Sequence, residues 1–165
     1  MRIVVNDSSA LIDLKKGGLL EILVELRFEF VVSDALLADE LLSFTKSEIA
    51  FLRRKMTVVS LNGEEINRVA EAQSSSPALS FHDCVSLIIA KRETGCILLT
   101  GDRRLRAKAE AAKVECHGVL WVVEEITKGK LASPKALIKA LEAWRDDSTV
   151  HLPTSELNQA IIKLK

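Results

Sequence analysis

Tyrosine is absent from this 165-residue chain, proline occurs only three times, and aromatic residues make up 4% of it. Basic runs such as Arg53-Arg54-Lys55 therefore have few aromatic neighbours on which bases could stack, and a charge run alone is usually a solvated face. Net charge is missing as well. The 23 basic residues balance the 23 acidic ones, so no global field favours nucleic acid, and any such contact must come from a local patch. No apolar run reaches bilayer length, and the opening Arg2-Ile3-Val4-Val5 reads as a strand rather than a signal peptide, so no membrane role is expected. Cysteine is scarce. Cys84, Cys96 and Cys116 are far apart, odd in number and set in apolar segments without a C-x-x-C pair, which predicts reduced core residues in a cytoplasmic protein rather than a disulfide or a zinc site.

What the chain does have is apolar content, 48% hydrophobic against 28% charged, enough for a real core in a single domain over residues 1–165. Short apolar runs predict strands at Arg2–Val5, Phe28–Val32, Thr57–Leu61, Cys96–Leu99 and Val114–Cys116. Helical patterns lie between them: Ser8–Leu14, Leu19–Leu26, Asp34 to about Phe44, Lys46–Lys55, Glu64–Gln73, a nearly all-apolar helix opened by Ser80, Arg103–Lys113 and Gly118–Thr127. Residues 133–165 read as a C-terminal helical extension, with Pro134 at the first position of one helix and Pro153 before the last. Strands that alternate with helices throughout predict an α/β domain: a central, mostly parallel sheet with helices on both faces. In such a sheet the C-terminal ends of the strands form the ligand-binding edge.

Four acids fall where that architecture could gather them: Asp7 after the first strand, Glu40 in A-L-L-A-D-E-L-L, Asp83 in S-F-H-D-C-V-S-L, and Asp102 in L-L-T-G-D-R-R-L. Taken singly, three have an ordinary reading. Asp7 and Asp102 could cap the helices that follow, and Ser80-x-x-Asp83 matches a capping box. Glu40 shares its helical side with Leu36, Leu37, Leu41 and Phe44, where an ionised carboxylate is costly unless it meets a cation or a Lys or Arg partner. Its neighbour Asp39 points to solvent. Taken together, acids converging on one sheet edge repel each other unless a cation binds, and oxygen ligands suit Mg²⁺ or Mn²⁺. The reading therefore expects Asp7, Asp83 and Asp102 within metal-bridging reach. His82 is expected to pack or hydrogen-bond locally, Asp13 to face solvent or pair with Lys15 or Lys16, and Trp121 and Trp144 to anchor a core or an interface.

In their order and spacing, D-S-S-A-L-I-D-L, the E-L-L of Glu40, S-F-H-D-C-V-S-L-I-I-A and L-L-T-G-D-R-R-L resemble the four blocks of PIN-domain nucleases, the group that includes VapC-type toxins. The resemblance covers roughly residues 3–130, and the longer tail is similar to that of a PIN subgroup with an extended C-terminus. It implies a three-layer sandwich and a Mg²⁺- or Mn²⁺-dependent ribonuclease, with Asp7, Glu40, Asp83 and Asp102 as the acidic quartet and Ser9 and Thr100 as supporting hydroxyls. It also implies an RNA substrate, an antitoxin protein as a possible partner, and a homodimer. Where some members carry a further acid after the last block, this chain has Arg103, Arg104 and Arg106, which leaves open whether a second metal binds. The rival from a different class is a PIN-like module that binds RNA or protein without cleaving. A phosphorylated receiver-like domain does not fit, since there is no acidic pair at the first strand end and no lysine after a late strand. The early leucines Leu19, Leu20 and Leu23 exceed the need of one small face, so they are expected to bury against a second chain.

Overall fold

The computed structural model describes residues 1–165. Its strands are β1 (Ile3–Asn6), β2 (Glu29–Ser33), β3 (Thr57–Val59), β4 (Ile97–Leu99) and β5 (Glu115–His117). Between and after them come α1 (Ser8–Lys16), α2 (Leu20–Leu23), α3 (Asp34–Asp39), α4 (Lys46–Lys55), α5 (Gly63–Ser75), α6 (Phe81–Ala90), α7 (Arg103–Ala111), α8 (Val119–Gly129), α9 (Pro134–Asp146) and α10 (Thr154–Leu164). The strands form one all-parallel sheet in the order β3-β2-β1-β4-β5, with Val4 opposite Phe30 and Val5 opposite Leu98. The predicted α/β sandwich is therefore the one observed. The chain leaves β1 toward β2 and β3 on one side and returns to β4 and β5 on the other. The topological switch point, where open parallel sheets bind ligands, thus lies between the C-terminal ends of β1 and β4.

Strand alternation divides the core in two. Val4, Phe30, Val32, Ile97 and Leu99 face one layer, where α1, α2, α8, α9 and α10 bring Leu11, Leu14, Val122, Ile126, Leu141, Trp144 and Leu157. Val5, Val31 and Leu98 face the other, against Val69 of α5, the apolar body of α6, and Leu105 and Ala109 of α7. The C-terminal helices thus belong to the larger core. Trp144 is fully buried and its indole Nε1 donates to the Asp13 carbonyl at 2.6 Å, which fastens α9 to α1. A Cβ on Gly17 would stand 2.9 Å from that indole, so this glycine is kept bare by a close approach as well as ending a helix.

Three expectations change. The helix foreseen at Leu19–Leu26 is only one turn, and Leu19, Leu20 and Leu23 are buried in the chain's own core rather than offered to a second chain. Helices α1 and α8 cover that leucine surface. The helix foreseen from Asp34 to about Phe44 ends at Asp39. Its continuation is pre-empted by a capping box at the next helix. Thr45 accepts from the Glu48 N–H at 3.1 Å while Glu48 accepts from the Thr45 N–H at 2.8 Å, which requires extended backbone at Thr45. Leu41 and Phe44 still reach the core from the intervening turn, while Leu42 is left 88% exposed.

Candidate functional site: an acidic edge at the switch point

The last residues of β1 lead into Asp7, whose backbone N–H continues the sheet by donating to the Leu99 carbonyl at 3.0 Å. Asp7 occupies the N-cap position of α1 in extended conformation, yet its side chain makes no capping bond. Its Oδ2 instead accepts from Ser9 Oγ at 2.8 Å and from Thr100 Oγ1 at 2.9 Å. Thr100, fully buried after β4, also accepts the Asp102 N–H at 3.0 Å, and Ser9 accepts the Gly101 N–H at 2.9 Å. The two hydroxyls lie 3.3 Å apart. One hydroxyl lattice thus joins the ends of β1 and β4, and both predicted supporting residues belong to it.

Asp7 is 1% exposed, and its Oδ1 is buried without any hydrogen-bond partner. Burial pushes its carboxyl up to about 6; the Ser9 and Thr100 hydroxyls pull it down, and the negative charge of Asp83 pushes it up further. No cation offsets this. None of Asp7, Glu40, Asp83 and Asp102 takes part in any of the ion pairs of the protein. The ordinary reading of Glu40, a buried pair with Lys or Arg, is therefore not what the fold builds.

The other three acids are half-buried around this floor. Asp102 caps α7, with Oδ1 accepting from the N–H groups of Arg104 at 2.8 Å and Leu105 at 3.0 Å. Asp83 forms the capping box of α6: its Oδ2 accepts from the Ser80 N–H at 2.9 Å, and Ser80 Oγ accepts from the Asp83 N–H at 3.1 Å. These bonds use one oxygen of each carboxylate and leave the other uncommitted. Glu40 is the C-cap of the short α3 and accepts from Ser8 Oγ at 3.3 Å. Ser8, the residue beside Asp7, thus ties Glu40 to the start of α1.

The expected convergence is incomplete. No three His, Cys, Asp or Glu side chains stand close enough to hold a metal ion. Their capping bonds turn one oxygen each of Asp83 and Asp102 toward their own helix starts. The donors nevertheless suit a hard cation, being carboxylate and hydroxyl oxygens, and the orphaned Oδ1 of Asp7 is the buried group that such a cation would satisfy. The residues present fit Mg²⁺ or Mn²⁺ in kind.

Asp39 is exposed, as expected, but it is not merely solvated. Its Oδ2 lies 3.3 Å from His82 Nε2, a link from the end of α3, next to Glu40, to the start of α6, next to Asp83. His82 packs locally, with Phe81 edge-on to its ring, and its Nδ1 is buried without a partner. Nothing in the sequence signals that pairing beyond the adjacency of each member to an acid. Asn6 is likewise completely buried; its amide donates to the Val4 carbonyl at 3.2 Å and the Val31 carbonyl at 3.1 Å, bracing β1 against β2 beneath the site.

Of the basic runs, Arg53-Arg54-Lys55 ends α4 just before β3 begins and so lies at the opposite edge of the sheet. Arg103, Arg104 and Arg106 lie in the first two turns of α7, at the acidic edge. Asp13 is half-buried, and burial raises its carboxyl against the opposing pull of Lys16 and His151. Lys15 pairs with Glu48 at 3.1 Å instead. All three cysteines are free, and burial raises each thiol, Cys116 to about 11, which leaves them unreactive. Trp121 stacks on His117 with ring centres 4.6 Å apart, and Trp144 sits in the core. No helix is long and apolar enough to cross a membrane.

A family model described as a PIN domain matches residues 3–165, so the match takes in the C-terminal helices instead of stopping near residue 130. No curated protein matches the chain.

Proposed function

The chain belongs to the PIN-domain family, whose fold is of the nuclease type, and on that premise we propose that it is a metal-dependent endoribonuclease. One observation carries the reading: Asp7 is buried at the switch point with Oδ1 unpartnered and no cation beside it, a costly arrangement that a bound cation would relieve. Asp7, Glu40, Asp83 and Asp102 would hold Mg²⁺ or Mn²⁺. When bound, such an ion lowers the pKa of a water and stabilises the leaving oxygen of a phosphodiester. The chain's own contribution is positioning. Ser9 and Thr100 hold Oδ2 of Asp7 so that Oδ1 faces away from them, and the capping bonds of Asp83 and Asp102 occupy one oxygen each. Ser8 steadies Glu40.

Digestion of a panel of structured RNAs, with cleavage ends mapped in Mn²⁺ and in EDTA, tests this. Cleavage in Mn²⁺ that Asp83→Asn abolishes without unfolding the protein is the expected result. Equal cleavage by wild type and Asp83→Asn would refute the assignment. The alternative is a PIN-like module that binds without cleaving. It predicts RNA binding with no cleavage in either condition. The setting we propose is cytoplasmic, as the toxin of a toxin–antitoxin pair acting as a homodimer. Leu42 and Phe81, exposed beside Glu40 and His82, replace the early leucines as apolar surface for a partner. Sedimentation of a monomer at high concentration, with no co-purifying protein, would count against that setting.

A further inference from the structure

We propose that the segment Thr149–Pro153 and the first two turns of α7 are the two walls of a groove that binds the phosphate backbone of single-stranded RNA and leads it to the acidic edge. The inference rests on the nuclease reading and places the path of its substrate on this chain's own residues. Two clefts carry it. One, of about 450 Å³, is lined by Ser9, Thr100 and Gly101, the residues around Asp7, with Arg103 and Arg106 from α7 and His151 from the C-terminal segment. The other, of about 600 Å³, is lined by Asp102, Arg103 and Arg104 and again by His151. Gly101, Arg103 and His151-Leu152-Pro153 border both, so the clefts adjoin around Arg103 and together run past both Asp102 and the supports of Asp7.

The charge in this groove is local, as a neutral chain requires. Lys16, Arg103, Arg104 and Arg106 line it together with the carboxylates of Asp13, Asp102 and Glu156. Lys16 is engaged by Thr149 and Asp147. The three arginines take part in no ion pair or hydrogen bond of their side chains, so their guanidinium donors are free for phosphate, which they match geometrically. Gly118 helps to seat one of them: a Cβ there would press to 3.3 Å on the Arg106 guanidinium. The opposite wall is held firmly, since Val150 within it and Leu157 just after it are buried in the larger core. Because Asp7 is almost wholly buried, a phosphodiester must descend between the walls to approach it. A single strand can do that, whereas in a duplex the second strand stands in the way.

Binding of a labelled single-stranded RNA of about 12 nucleotides, followed by fluorescence anisotropy in EDTA across a salt series, tests the groove apart from catalysis. Arg103→Ala/Arg106→Ala should weaken binding about tenfold or more and make the salt slope shallower by about one to two. His151→Glu should weaken it about fivefold, by placing like charge in the phosphate path. Arg53→Ala/Arg54→Ala, at the far edge of the sheet, should leave it unchanged, and thermal melts should show every variant folded. Unchanged affinity in the Arg103/Arg106 variant or in His151→Glu, no binding by wild type, or equal binding of a duplex would overturn the proposal. Cleavage in Mn²⁺ without arginine-dependent binding would sink the groove and leave the nuclease standing. Arginine-dependent binding without cleavage would do the reverse.

Discussion

The Asp7–Asp102 side of the acidic edge and its Glu40–Asp83 side are held by different means. Asp7 and Asp102 follow adjacent central strands, and the Ser9–Thr100 lattice joins their backbones and side chains directly. Glu40 and Asp83 hang from a six-residue helix and a helix start, linked by a 3.3 Å bond from Ser8 and by the exposed Asp39–His82 contact. One side is preorganised by the sheet; on the other, Asp83 is fixed by its capping box while Glu40 rests on a contact that costs little to break.

The largest effect that could break this contrast is expected at Thr100. Thr100→Val removes a donor to Asp7 and the acceptor of the Asp102 N–H, and should destabilise the fold by about 1–3 kcal/mol in urea titration. A negligible cost would mean that the lattice is not what holds this side. Asp7→Asn comes next, with the opposite sign in metal-free protein. The folded-state pKa lies above the unfolded one, so the fold holds the proton more tightly and ionisation of Asp7 costs stability as pH rises from about 4 to about 6. At pH 7 the variant should gain about 1–2 kcal/mol, less than the full shift because its amide N–H is left without a partner, and below pH 4 the gain should vanish. Melts in EDTA at the two pH values decide it; a gain that persists in acid would point to packing instead of charge.

The smallest effects belong to the exposed side. Asp39→Asn should cost less than about 1 kcal/mol, as exposed pairs do, and Ser8→Ala no more, its bond being long. Calorimetric Mn²⁺ titration sharpens the contrast. Glu40→Gln should lower affinity more than Asp39→Asn does, and the reverse ranking would put the wrong neighbour at the site.

Much of this was legible without coordinates. Alternating apolar strands and amphipathic helices are local patterns, and they specified the parallel α/β sheet because each strand must bury both faces. The positions of Asp7 and Asp102 just past strand ends were enough to put them on one edge. Glu40 was read inside a helix drawn too long and is instead the C-cap of a short one, since the capping box at Thr45 competes with a favourable apolar period. The leucines of residues 19–23 looked surplus because α8, one of the helices that cover them, lies far along the chain.

The chain by itself thus determined the fold class, the edge where the acids gather and the absence of any basic field, all properties of residue type and local spacing. Tertiary structure alone decided that Asp7 is held by hydroxyls instead of capping its helix, since Thr100 reaches it across 93 positions. It also decided that Asp39 answers to His82, and that the C-terminal segment lies along the arginines of α7. Each of these depends on which elements become neighbours, and that is settled by burial of the two cores and the winding of the sheet, not by any pattern within a single element.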